Sequence, residues 1–151
     1  MMVTELPLPA AIDLHVQART RDQVLADLVG RLAESGRVQE PKAVLEALLE
    51  RERLGSTGIG HGVAVPHCRM HGVSTPMIAL GRTDSDVDVD AIDGLPARIF
   101  FVLVAPEGAA AVQVQLLARI ARLMRDTATR ERLLLAETVE QALGILQGTA
   151  A

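Results

Sequence analysis

A stretch rich in glycine and proline, residues 55–67, constrains the fold of this chain more than any other. Four glycines and one proline stand among its thirteen residues. Inside a helix, Gly costs about 1 kcal/mol and Pro about 3 kcal/mol relative to Ala. The stretch therefore predicts a tight turn, followed by a short strand at Gly62–Pro66 that Pro66 terminates.

His67 follows this predicted strand directly. Proline holds its own φ near about −65° and biases the preceding Val65 toward extended geometry, so the imidazole is presented from a stiffened backbone. The glycines and hydroxyl residues upstream can offer N–H and O–H groups to an anion. A single histidine is usually a surface residue, a satisfied polar group or a metal ligand, but this setting makes His67 a candidate for chemistry.

Composition and charge limit the classes of protein to which this chain can belong. The chain has 151 residues, 49% of them hydrophobic, and Phe100 and Phe101 are its only aromatic residues. We expect a single domain over residues 1–151 with an aliphatic core. The net charge is −4 and no basic stripe is present, so we expect no binding to nucleic acid.

Cysteine usage and hydropathy indicate a cellular location. Cys68 is the single cysteine, which excludes an intrachain disulfide and fits a reducing compartment. The sequence has no apolar run of membrane-spanning length, and Met1–Ala10 shows no signal-peptide pattern. We therefore expect a cytoplasmic protein without membrane insertion.

Periodicity predicts an α/β protein in which strands alternate with helices. A capping box at Thr20–Gln23 and a first-turn proline at Pro41 each start a helix. The apolar run Ile99–Ala105, which Pro106 ends, predicts a fully buried central strand. Further strands are predicted at Ala10–Val16 and Met77–Arg82, and further helices at Ala109–Arg125, Thr129–Leu135 and after Thr138.

Three polar side chains have two possible roles each. Arg51 and Arg53, in the last turn of the second helix, either offset its dipole or reach over the glycine-rich turn, and periodicity does not choose. Helical phase directs Gln113 inward near the start of the third long helix. It is either a buried amide bonded to backbone or a group that lines the same cavity as His67.

Several familiar sites are excluded or disfavoured. The glycine-rich turn lacks the Lys of a phosphate-binding P-loop, and its glycine spacing does not match a dinucleotide fingerprint. A zinc site from His61, His67 and His71 lacks a helical host, and Cys68 next to His67 on extended chain points away from it. We therefore predict neither a metal nor a cofactor.

Phosphoryl transfer accounts for all of these features together. A neutral imidazole can attack a phosphoryl group and hold it as phosphohistidine. The added group carries a charge of about −2 and needs N–H donors, hydroxyls and an arginine nearby. Ser56, Thr57, the loop amides and Arg51 are groups of the right kind.

The segment Glu50–His67 resembles the signature of the fructose/mannitol-type EIIA domain of the bacterial phosphoenolpyruvate-dependent sugar phosphotransferase system. The likeness extends to Val89–Gly94 and to the buried strand before Pro106, and the single-domain, nitrogen-related branch is the most similar. The resemblance implies a mixed β-sheet with helices on both faces. It also implies a phosphotransferase component rather than a free-standing metabolic enzyme, with a small HPr-like histidine phosphocarrier as donor.

The resemblance also assigns roles to individual residues. It makes His67 the phosphorylated residue, Arg51 the site arginine, and Ser56 and Thr57 the hydroxyl pair beside the site. Two positions depart from the family pattern: His61 stands where Asn is frequent, and Gln113 stands where a second histidine is usual.

Two functional classes remain open from the sequence. In one, the phosphorylation state regulates protein partners in nitrogen or potassium metabolism. In the other, the domain passes phosphate to the EIIB unit of a fructose- or mannitol-type permease. The lack of a fused permease in the sequence favours the regulator.

Overall fold

The apolar run at residues 99–105 forms the middle strand of the sheet in the computed structural model, which describes residues 11–147. The strands are β1 (Ile12–Val16), β2 (Gly58–Gly60), β3 (Val63–Ala64), β4 (His67–Met70), β5 (Met77–Val87) and β6 (Ala97–Pro106). The helices are α1 (Arg21–Glu34), α2 (Pro41–Arg53), α3 (Ala110–Arg125), α4 (Thr127–Leu135) and α5 (Val139–Leu146).

The sheet is mixed. Over the described residues its order is β1-β5-β6-β3-β2, and β4 also pairs with β6. β5 runs antiparallel to β6, whereas β3 and β4 both run parallel to it. β1 is parallel to β5, and β2 is antiparallel to β3.

Helices cover both faces of this sheet because alternate residues of β6 are apolar on both sides. Phe100 and Val102 belong to the core beneath α1 and α2, together with Leu28 and Leu48. Phe101 and its alternate neighbours belong to the opposite core with α3, α4 and α5. Burial of each large apolar side chain contributes about 1.5–3 kcal/mol, so the two cores hold the helices on the sheet. The predicted α/β class with helices on both faces is confirmed.

The helix starts are mostly as predicted. Thr20 accepts a hydrogen bond from the backbone N–H of Gln23, whose side chain bonds back, which is a complete capping box. Pro41 is the first residue of α2. The absence of a signal peptide, predicted for Met1–Ala10, concerns residues outside the described range. Over residues 11–147, no helix has the length and hydrophobicity needed to cross a membrane.

The strand predicted at Gly62–Pro66 is present but shorter, as β3, and the strand that follows Pro66 was not predicted. Strand structure lies on both sides of this proline: β3 ends at Ala64, and β4 begins at His67. β3 and β4 pair with successive stretches of β6, and Pro66, which has no N–H, occupies the break between them. The Pro66 carbonyl still accepts a hydrogen bond of 2.9 Å from the N–H of Leu103. His67 therefore follows one strand and opens the next.

A pair of carboxyl groups lies between α1 and β1, away from the glycine-rich segment. Asp27 of α1 has a buried Oδ2 without a hydrogen-bond partner among the described residues. Burial and the neighbouring carboxyl of Asp13 raise the pKa of Asp27 to about 6, against a partial opposing effect of Arg31. Asp13 in turn pairs with Arg31 at 3.1 Å. The folded chain therefore binds a proton here more tightly than the unfolded chain does.

This difference predicts a pH dependence of stability. Since the folded pKa is raised, the contribution of Asp27 is complete below its unfolded pKa and is lost as pH rises through about 6. Asp27→Asn should match wild type near about pH 4 and exceed its free energy of unfolding by about 1 kcal/mol near about pH 7.5, after allowance for solvent screening. Urea unfolding at both pH values measures this difference. Asp22→Asn, on the exposed side of the same helix, is the control, and an equal gain for Asp27→Asn at both pH values would contradict the prediction.

Candidate functional site

β4 lies where helices from the two faces of the sheet meet. Among the described strands it pairs with β6 alone, which leaves its other edge open. α2 packs near β4 from one side. From the other side, the Gln113 side chain of α3 donates a hydrogen bond of 2.9 Å to the Cys68 carbonyl. His67, the first residue of β4, is half-buried between them.

The backbone selects the tautomer of His67. Its Nδ1 lies 2.7 Å from the carbonyl oxygen of Val65. A carbonyl can only accept a hydrogen bond, so Nδ1 carries the proton in the neutral ring. Nε2 is then left with a free lone pair and is the nucleophilic atom of the ring.

The surroundings also keep this ring neutral. Burial lowers the pKa of His67 below its usual 6.5, and the charges of Arg51 and Arg69 lower it further. The Val65 carbonyl and the Glu52 carboxylate act in the opposite direction without reversing the shift. At neutral pH the imidazole is therefore in its uncharged, nucleophilic form.

The turn that leads into this site is anchored by Asp93, in the loop between β5 and β6. Its Oδ2 accepts a hydrogen bond of 2.9 Å from the His61 N–H. A Cβ on Gly60, which has φ of +87°, would meet the same oxygen at 3.0 Å. His61 itself has φ of +59°, a region in which Asn is favoured, and its side chain is exposed. The backbone at position 61 therefore suits either Asn or His, and in this chain it carries an exposed imidazole.

The two hydroxyl residues are bonded within the protein. Ser56 Oγ donates to the Val89 carbonyl at 2.5 Å and accepts from the Gly58 N–H at 2.9 Å. Thr57 Oγ1 donates to the carboxylate of Glu52. The hydroxyl groups therefore shape the turn, and Thr57 links it to α2.

Arg51 and Arg53 have different environments. Arg51 is half-buried, and its Nη1 donates to the Gly55 carbonyl at 3.0 Å. Its charge acts on His67. Arg53 is 68% exposed and pairs with Glu50 in the same helix. The tertiary structure thus distinguishes two cations that helical periodicity left equivalent.

Gln113 is 7% exposed, so the prediction that it faces inward is confirmed. Its amide bonds to the backbone of Cys68, the residue after His67. The amide is therefore bonded to backbone, which is one of the two roles left open by the sequence. That backbone belongs to β4, the strand that carries His67.

Sequence reasoning missed two charged residues. Glu52 is 5% exposed, and helical spacing could have found it, because it follows Val44 and Leu48 at intervals of four. Arg69 lies two residues after His67 on β4, hence on the same side of the strand. No signal for Arg69 existed until β4 was recognised as a strand.

Within residues 11–147, no three His, Cys, Asp or Glu side chains are grouped as a metal site would need. The three histidines considered for zinc are spread apart along the chain's turns and strands, and His71 instead lies 3.8 Å from Glu107. Burial raises the pKa of the Cys68 thiol to about 12, so the thiol stays protonated and is a poor nucleophile.

The chain is similar in sequence to known proteins over almost its whole length. The chain is 37% identical over 155 residues to the nitrogen regulatory protein of Bradyrhizobium diazoefficiens, with 100% of both chains covered. It is 35% identical over 146 residues to the fructose-specific EIIABC component of Bacillus subtilis, where it covers 97% of this chain but only 23% of the relative. The crystal structure of nitrogen regulatory protein IIA-Ntr from Neisseria meningitidis superimposes with a TM-score of 0.88 at 33% identity, covering 95% of this chain and 97% of that one.

The family profile agrees with these individual likenesses. Residues 8–148 match the EIIA 2 family of the phosphoenolpyruvate-dependent sugar phosphotransferase system. The split strand before His67, the anchored glycine-rich turn and the arginine at the end of α2 are thus features of a chain that belongs to the EIIA type 2 family of that phosphotransferase system.

Proposed function

We propose that this protein is a histidine phosphocarrier that accepts a phosphoryl group on Nε2 of His67 from an HPr-like protein and acts as a nitrogen- or potassium-related regulator. The observation that carries the proposal is the hydrogen bond from Nδ1 to the Val65 carbonyl, which leaves Nε2 of a neutral ring free to attack. The full-length similarity to a nitrogen regulatory protein supports the regulatory role. A carrier of this kind works in the cytoplasm.

The chemistry needs little from the protein beyond position and charge. The Nε2 lone pair of His67 attacks phosphorus while the P–N bond of the donor phosphohistidine breaks and its electron pair returns to the donor ring. Nδ1–H stays bonded to Val65, so no proton has to leave the ring. The incoming charge of about −2 then faces the guanidinium of Arg51, and Arg69 lies on the same side of β4.

The second candidate function is transfer onward to an EIIB unit of a fructose- or mannitol-type permease. The observation in its favour is the 35% identity to one segment of a fructose-specific EIIABC component. Incubation of the phosphorylated protein with a fructose-type EIIB separates the two functions. Rapid loss of label to EIIB supports transport, whereas a stable phosphoprotein supports regulation.

Phosphorylation is expected at a single residue. Phosphoenolpyruvate, enzyme I and an HPr-like carrier should label the wild-type chain once, with an acid-labile and alkali-stable bond. His67→Ala should abolish the label because the nucleophile is gone, while His61→Ala should remain labelled. Intact-mass spectrometry at alkaline pH measures the added phosphoryl group. Undiminished labelling of His67→Ala would refute the assignment.

Arg51 should matter more than Arg53. A charge-assisted hydrogen bond from a guanidinium to a phosphoryl oxygen contributes about 1.5–3 kcal/mol. Arg51→Gln should therefore slow phosphoryl entry by about tenfold or more, whereas Arg53→Gln, on the exposed side of the helix, should change it less than about twofold. Quenched-flow labelling with the phosphorylated carrier gives both rates. Equal effects of the two substitutions would mean that Arg51 only offsets the dipole of α2.

Gln113 should set the lifetime of the phosphoprotein. Its amide can donate to a phosphoryl oxygen but cannot carry a proton near neutral pH, so it stabilises the product without assisting transfer. Gln113→His should shorten the time the phosphoryl group resides on His67 by speeding onward transfer, and Gln113→Ala should shorten it by weakening the product. The decay of labelled protein, with and without acceptor, distinguishes these causes. Gln115→His, on the exposed side of the same helix, is the control, and unchanged lifetimes in both Gln113 variants would leave this residue a structural role only.

A further inference from the structure

Glu52 is a buried carboxylate that the proposed chemistry does not use. Its side chain is 1% exposed and lies on α2, next to Arg51. Its Oε2 has no hydrogen-bond partner in the described part of the chain, and the nearest cation, Arg21 of α1, is 3.5 Å away. Burial of an ionised carboxylate costs several kcal/mol unless it is paired and hydrogen-bonded. In this fold Arg21 and the Thr57 hydroxyl supply those partners, and they hold the carboxylate in one position.

A continuous line of contacts joins this carboxylate to the reactive ring. Glu52 accepts a hydrogen bond from the Thr57 hydroxyl. The Thr57 carbonyl accepts one of 3.0 Å from the Val65 N–H. The Val65 carbonyl then accepts the bond of 2.7 Å from Nδ1 of His67. These three bonds connect four segments in turn: α2, the glycine-rich turn, the break between β3 and β4, and β4 itself.

The hydrogen bonds made by Val65 are not part of the pairing between strands. Val65 lies outside both β3 and β4, between strands that are held by β6. Its N–H bonds to Thr57 and its carbonyl to His67, so its peptide groups depend on the glycine-rich turn. Glycine gives that turn little stiffness of its own, and the bond from Thr57 to Glu52 ties it to a rigid helix.

From these contacts we infer that Glu52 is a positioning residue for phosphoryl transfer, which holds Thr57 and, through Val65, keeps the His67 ring oriented with Nε2 free. The inference rests on the proposed function of His67. Arg21, by pairing with Glu52, holds the start of α1 to the same line of contacts.

The sign of the charge on Glu52 adds a second consequence. A carboxylate near the ring opposes the effect of Arg51 and Arg69 on the imidazole. It also repels the charge of about −2 on a phosphorylated ring. Phosphohistidine is therefore held less tightly than two arginines alone would hold it, which suits a group that must leave again.

The test compares three substitutions by two measurements. Glu52→Ala removes the acceptor and the charge, Glu52→Gln keeps an amide oxygen for the Thr57 hydroxyl, and Thr57→Val removes the donor while it keeps the shape. Long-range ¹H–¹⁵N spectra report the tautomer of the His67 ring, and quenched-flow labelling reports phosphoryl entry. Glu50→Ala, an exposed glutamate on the same helix, is the matched control.

Glu52→Ala and Thr57→Val should both increase the Nε2–H tautomer and slow phosphoryl entry by about tenfold. Glu52→Gln should restore the wild-type tautomer and most of the rate, and Glu50→Ala should change neither. In the double variant, the effects of Glu52→Ala and Thr57→Val should not add, because both break the same bond. Thr57→Val carries the test on its own if Glu52→Ala fails to fold.

Two results would overturn the inference. One is an unchanged tautomer in Thr57→Val, and the other is a folded Glu52→Gln variant as impaired as Glu52→Ala. The proposed function fails separately, if the wild-type protein is not labelled at His67 at all. In that case the tautomer spectra still decide whether Glu52 orients the ring.

Discussion

The hydrogen bond between Nδ1 of His67 and the Val65 carbonyl is the interaction on which the site depends. It places the proton on one ring nitrogen and leaves the other reactive. The bond exists because the chain breaks out of strand geometry at Val65 and Pro66, then returns to it at His67. That break is tolerated because β6 pairs with both β3 and β4 and holds the two pieces in line.

The electrostatics of the site are balanced rather than uniformly positive. Arg51 and Arg69 favour an added anion, while the buried Glu52 opposes it. A site with arginines alone would bind the phosphoryl group more tightly and release it less readily. The proposed phosphocarrier needs both entry and departure of the phosphoryl group, and a carboxylate among cations would limit how tightly that group is held, at a cost in folding free energy. The core on both sides of β6 offsets this cost.

The predictions from the sequence were most accurate where one local pattern decides the outcome. The capping box at Thr20 and the buried strand before Pro106 were predicted correctly, because each depends on contacts between near neighbours or on unbroken hydrophobicity. β4 was missed because the polar and apolar alternation of His67–Met70 spans only four residues, too few to predict a strand, and its strand geometry comes from pairing with β6. Helical periodicity did not distinguish Arg51 from Arg53, since both occupy the last turn of α2; the family resemblance alone singled out Arg51, and the structure shows their different partners.

By itself, the sequence determined that a glycine-rich turn and Pro66 precede His67, that the class is α/β, and that Gln113 faces inward. These follow from backbone preferences and side-chain periodicity, which act over a few residues. Only the tertiary structure decided which ring nitrogen is free, that Ser56 and Thr57 bond within the protein, and that Glu52 stands buried beside the site. Those properties depend on atoms brought together from α2, the turn, β4 and α3. No local pattern contains such distances, because each results from the packing of helices on opposite faces of one sheet.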